Sequence, residues 1–102
     1  MCRRATGSAF AVLSWVKPEN LRWMSAPAKK RRSSPLAARS FCGDCGTPIS
    51  LAYDGSDEVA IYAGALDQPE IAIPAYNYNA RSRLPWVTCG THLPNHTGTE
   101  DW

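Results

Sequence analysis

The chain has 102 residues, enough for one small domain and too few for two independent cores. Hydrophobic residues make up 44% and charged residues 20%, a globular balance that excludes a disordered chain. No apolar run approaches the ~18 residues that cross a bilayer, and a net charge of +2 is too weak to imply nucleic acid without a local patch.

Met1-Cys2-Arg3-Arg4 leads into a short apolar stretch with no small-residue cleavage pattern, so no secretory leader is expected and the location is read as cytoplasmic. Ala9 to Val16 is nearly all apolar, with aromatic and branched side chains, and predicts a strand covered on both faces. Lys17-Pro18-Glu19-Asn20 predicts a turn with at most one helical turn. Leu21 to Met24 reads as a second strand, and Arg32 to Phe41 as its return. Between them Lys29-Lys30-Arg31-Arg32 reads as a solvated hairpin rather than a nuclear-import or phosphate-contact run. Ile49, Leu51 and Tyr53 alternate with Ser50 and Ala52, the pattern of a half-buried strand. Asp54 to Asp57 predicts a hairpin turn, and Val59 to Ala63 pairs back. Pro69, Pro74 and Pro85 then break every periodic run, which predicts loops with short edge strands. Residues 1–94 form the domain and 95–102 a solvated tail. The fold class is mainly β. Trp15, Trp23 and Trp86 are expected in the core or in a pocket wall.

Four cysteines are present, Cys2, Cys42, Cys45 and Cys89. In a reducing compartment these point to metal binding or redox chemistry before disulfides. Cys42-Gly43-Asp44-Cys45 is a C-x2-C pair. A redox pair of this spacing sits at a helix N-terminus. Here Gly46-Thr47-Pro48 leads into an alternating strand, which favours a zinc knuckle. Two thiolates are half of a structural site. Cys89 with His92 (C-x2-H) is one candidate for the rest, and His96 another. The plainer reading makes both histidines exposed loop residues and Cys89 a small core residue beside Trp86 and Val87.

The N-terminal segment Cys2-Arg3-Arg4-Ala5-Thr6-Gly7-Ser8-Ala9-Phe10 resembles the C-R-x-x-x-G-S-A-F segment of the glutathione-dependent formaldehyde-activating enzyme family, a domain shared with centromere protein V. Arg39-Ser40-Phe41-Cys42-Gly43-Asp44-Cys45-Gly46-Thr47-Pro48-Ile49 is similar to its R-x-F-C-x-x-C-G-T-x-L segment. Gly64-Ala65-Leu66-Asp67-Gln68-Pro69 resembles G-[ST]-L-D-x-P, and Arg83-Leu84-Pro85-Trp86 and Leu93-Pro94 follow in the family's order.

The resemblance implies a tent-like mixed β fold of short strands with zinc. It implies a carbon–sulfur lyase acting on formaldehyde and glutathione, or a similar small thiol. It also implies two zinc sites. Cys42 and Cys45 match part of the structural set, and Cys2 matches the last cysteine of the catalytic run, C-x-C-x-x-C. Gly7, Ser8 and Phe10 would then line a substrate pocket beside the metal.

The chain begins one residue before that last catalytic cysteine, so the family's N-terminal part is read as missing and each zinc site as incomplete. Pro74-Ala75-Tyr76 is followed by Asn77 where the family often has histidine, and Thr91-His92 stands where it often has an acidic residue before Leu-Pro. Impaired activity is expected, and a non-catalytic zinc-binding module that keeps the fold is the alternative. Neither a nucleic acid nor a membrane partner is expected.

Overall fold

The chain's clearest alternation folds as predicted. Strand β4 runs Pro48–Tyr53 and β5 runs Val59–Tyr62 in the computed structural model, which describes residues 2–24, 28–78 and 83–95. The two pair antiparallel, with Ser50 opposite Ile61 and Leu51 opposite Ala60. Three more strands complete one sheet: β1 (Leu13–Val16), β2 (Lys29–Ser34) and β3 (Ala37–Phe41). The order is β1-β5-β4-β3-β2, and every pairing between strands is antiparallel. β2 to β5 form a meander, and β1 closes its far side beside β5. A short helix, α1, covers Cys2–Thr6.

Register decides which side chains share a face. Leu13 and Trp15 on β1 align with Tyr62 and Ala60 on β5, then with Leu51 and Tyr53 on β4 and Ala37 on β3. These residues form the apolar core. Leu51 is its largest fully buried side chain, at 1% exposure. Burying a leucine contributes about 1.5–3 kcal/mol. Trp15 stacks on Tyr53, with ring centroids 6.3 Å apart. Arg39, only 5% exposed, lies on this face too. Its Nε donates to Ser33 Oγ at 3.0 Å, and its Nη1 donates to Tyr62 Oη, spanning β4. On the opposite face the hydroxyls of Ser40 and Ser50, cross-strand neighbours, pair with each other.

The structure revises several expectations. The basic run is solvated, as expected, but it is part of strand β2 at the sheet edge, with Lys29 to Arg32 all exposed. Charged side chains on an edge discourage pairing with another chain. The return strand starts later than Arg32, because Pro35 and Leu36 make the turn between β2 and β3. Leu21 to Met24 forms no strand: β5 already pairs with β1, and Leu21 N–H closes the 3₁₀ turn Pro18–Asn20. β1 is half as long as predicted, and its four residues are half-buried rather than covered on both faces. Trp23 and Trp86 are exposed, so Trp15 alone of the three expected in the core or a pocket wall packs against the core.

After β5 the chain makes 3₁₀ turns at Ala63–Ala65 and Pro69–Ile71, then loops without edge strands among the described residues. Asn77 gathers the loop that follows. Its Nδ2 donates to the Gly90 carbonyl at 2.7 Å and to Asn95 Oδ1 at 3.0 Å, and its backbone N–H donates to the Pro94 carbonyl at 2.8 Å. Asn95, the first residue of the expected tail, is exposed and accepts the Nδ2–H bond from Asn77. Residues 96–102, with His96, lie outside the described residues.

Candidate metal centre

The β3–β4 connection, residues 42–47, is the candidate site. Cys42 N–H donates to the Thr47 carbonyl at 2.9 Å, and Gly46 N–H donates back to the Cys42 carbonyl at 2.8 Å. These bonds close the turn from both ends. Gly46 sits at φ +79°, a left-handed conformation that costs a side chain strain and glycine none. The turn rests on β2, where the methylene stem of Lys29 covers Gly43: a Cβ at Gly43 would stand 3.1 Å from Lys29 Cε.

Both cysteines are free thiols, Cys42 half-buried and Cys45 exposed. Thr47 Oγ1 lies 2.9 Å from Cys45 Sγ. Hydrogen bonds from the Thr47 side chain, then the Thr47 backbone, then the Cys42 thiol, lower the Cys45 pKa below that of an ordinary cysteine. The turn therefore favours a thiolate, the form that ligates a metal. In the sequence Thr47 stands only as a member of the C-x-x-C-G-T motif, and the structure adds its contact with the Cys45 sulfur. A hydroxyl two residues after a cysteine, beyond a left-handed glycine, is the signal that marks it. A strand follows the pair, not a helix, so the structural setting of a helix-capped redox pair is absent here.

Two sulfurs on one tight hairpin loop fit half of a tetrahedral zinc site. Among the described residues no group of three or more His, Cys, Asp or Glu could hold a metal, so nothing completes the set there. Cys89 and His92 are exposed on the later loop. The expectation of Cys89 as a small core residue is overturned, because that loop is held by Asn77 at its backbone and leaves the thiol in solvent. Cys2 opens α1, and its side chain lies outside the described set. Gly7 and Ser8 are exposed just beyond the helix, and Ser8 N–H donates to Thr6 Oγ1 at 3.2 Å. Phe10 is 44% exposed, so it is not a core residue. Two acidic residues of the β4–β5 turn are held in ion pairs: Asp54 with Arg32, Asp57 with Lys17.

Sheet and turn together define a small antiparallel β domain with a two-thiol hairpin loop. The family model described as glutathione-dependent formaldehyde-activating enzyme matches residues 1–82, and the chain belongs to that family. No curated protein matches the chain. No helix among the described residues is long and apolar enough to cross a membrane.

Proposed function

We propose that the chain is a zinc–thiolate domain built for carbon–sulfur lyase chemistry on formaldehyde and glutathione, or a similar small thiol. Cys42 and Cys45 hold the structural zinc in this reading, and Cys2 is a ligand of the catalytic one. The observation that carries it is the 42–47 turn, where two thiols stand together and Cys45 is biased toward thiolate. The family's description supports the aldehyde and the glutathione. Zinc, when bound, acts as a Lewis acid and lowers the pKa of a coordinated thiol.

The overall reaction is an addition. The thiol sulfur bonds to the aldehyde carbon, the carbonyl π pair moves to oxygen, and the thiol proton ends on that oxygen. This chain's residues contribute binding and access. No atom lies within 4 Å of a Cβ built on Gly7, so the ground after α1 is open to a ligand. Phe10 offers an apolar wall.

A closed site takes four ligands and an open one three; the 42–47 turn supplies two thiols. The absence of a third metal-binding side chain beside Cys42 and Cys45, among the described residues, favours a second reading: a zinc-binding module without turnover. Exchange spectroscopy on glutathione and formaldehyde, with the zinc-loaded 102-residue chain, separates the two. Acceleration that needs zinc and is lost in Cys2→Ala supports the enzyme. Zinc binding with no acceleration supports the module.

A further inference from the structure

A cleft at the β2 edge, outside the cysteine turn, has its own chemistry. Arg31, Arg32 and Ser33 of β2 and Arg4 of α1 line one open concavity of about 260 Å³. In a regular strand Arg31 and Arg32 would point to opposite faces. Arg31 and Arg32 keep that alternation, in regular register with Arg39 and Ala38, and both long side chains border the concavity at the sheet's open edge. The register shift follows them, between Arg32 and Ser34, and leaves Ser33 as the bulged residue.

The side chains of this lining offer donors. A guanidinium has five N–H groups and no acceptor. Ser33 Oγ accepts from Arg39 Nε at 3.0 Å, which leaves its own proton for a ligand. Arg32 is held at the rim, its Nη2 donating to the Pro35 carbonyl at 2.8 Å and to the Asp54 carboxylate. That ion pair offsets one of three positive charges. Among the described residues no carboxylate pairs with Arg4 or Arg31. Like charges around one concavity repel, and an anion between them relieves the repulsion. Planar guanidinium forks match the paired oxygens of carboxylate and phosphate.

We propose that this cleft binds a small oxyanion, a carboxylate or a phosphate, through Arg4, Arg31, Arg32 and the Ser33 hydroxyl. The proposal stands apart from the zinc chemistry. Arg4 shares α1 with Cys2, so an anion held here is anchored on the same five-residue element as the proposed catalytic ligand.

The test is an amide chemical-shift titration of the full chain with two probes, inorganic phosphate and S-methylglutathione. The second carries carboxylates and no free thiol. Saturable shifts centred on α1 and β2 are expected, with dissociation constants in the low millimolar range, about 1–10 mM, that weaken as salt is added. The tighter of the two probes identifies the source as phosphate or carboxylate. The Arg4→Ala/Arg31→Ala variant should bind at least tenfold more weakly, with an unchanged melting temperature, since both side chains are exposed. Should that variant not fold, Arg31→Lys keeps the charge, loses the fork, and should still weaken binding several-fold. No saturable shift with either probe would overturn the proposal. So would equal binding by wild type and variant, or binding of a DNA duplex when neither small anion saturates.

Discussion

Thr47 Oγ1 stands 2.9 Å from the Cys45 sulfur, so the residue that leads into β4 also conditions the thiol of the turn before it. The hydroxyl is the largest of the influences that lower the Cys45 pKa. Thr47→Val keeps the shape and removes the donor. Alkylation of Cys45 at neutral pH should slow by a few-fold, while the distant Cys89 reacts as before and serves as the reference. Mass spectrometry of the labelled peptides reads both rates. An unchanged Cys45 rate would show that the backbone and Cys42 supply the effect.

Gly46 holds the turn at φ +79° with no atom within 4 Å of an added Cβ. Strain there comes from the backbone alone. Gly46→Ala should cost about 1 kcal/mol, and Gly46→Asn less, because asparagine tolerates the left-handed region. Urea unfolding of the two variants tests the order. A larger loss for asparagine would mean that space, not backbone angle, selects glycine.

Leu51 is opposite Ala60 on one side and Arg39 on the other, and it fills the middle of the sheet's core face. Leu51→Ala should cost about 2–5 kcal/mol, a large part of the ~5–15 kcal/mol that holds a domain folded. A melting temperature lower by roughly 10–20 °C is the expected reading. A shift of only a few degrees would mean that the core collapses onto the gap.

Lys17 Nζ and Asp57 Oδ2 are 2.8 Å apart and join the end of β1 to the β4–β5 turn. The Lys17 hydrogen bond, then its charge, holds the Asp57 carboxyl below the usual carboxylate range, and the same hydrogen bond raises the Lys17 ammonium. Asp57, depressed in the folded chain, stabilises fully above its unfolded value, and that help fades as pH falls through the folded one. Lys17, raised in the folded chain, stabilises fully below its unfolded value, and that help fades as pH rises through the folded one. Both groups are exposed, so the effect is small and screened by salt. Asp57→Asn should lower the melting temperature slightly at neutral pH and low salt. It should change nothing once the acid limb is passed or salt is high. A difference that persists in acid would assign the loss to the turn's geometry.

What the sequence made legible follows from how each element is stabilised. β4 and β5 were readable because Ile49, Leu51 and Tyr53 alternate against Ser50 and Ala52, and Asp54-Gly55 marks the turn. The cysteine turn was readable because its spacing and its glycines are local. β2 was hidden: Lys29-Lys30-Arg31-Arg32 has no apolar face, and only pairing with β3 makes it a strand. α1 has five residues, too few for a helical period to register. Leu21 to Met24 misled because an apolar run is not a strand without a ladder partner. Trp86 and Cys89 misled because apolar character says little about a loop pinned by Asn77 through its backbone.

Cobalt(II) titration of the reduced chain tests the zinc reading most directly, because thiolate ligation gives a sulfur-to-cobalt charge-transfer band that zinc then displaces. The expected result is a band with the intensity of at least two thiolates, lost in both Cys42→Ala and Cys45→Ala and titrated away by zinc. A band that survives both replacements, or none at any cobalt concentration, would contradict the assignment of Cys42 and Cys45 as metal ligands.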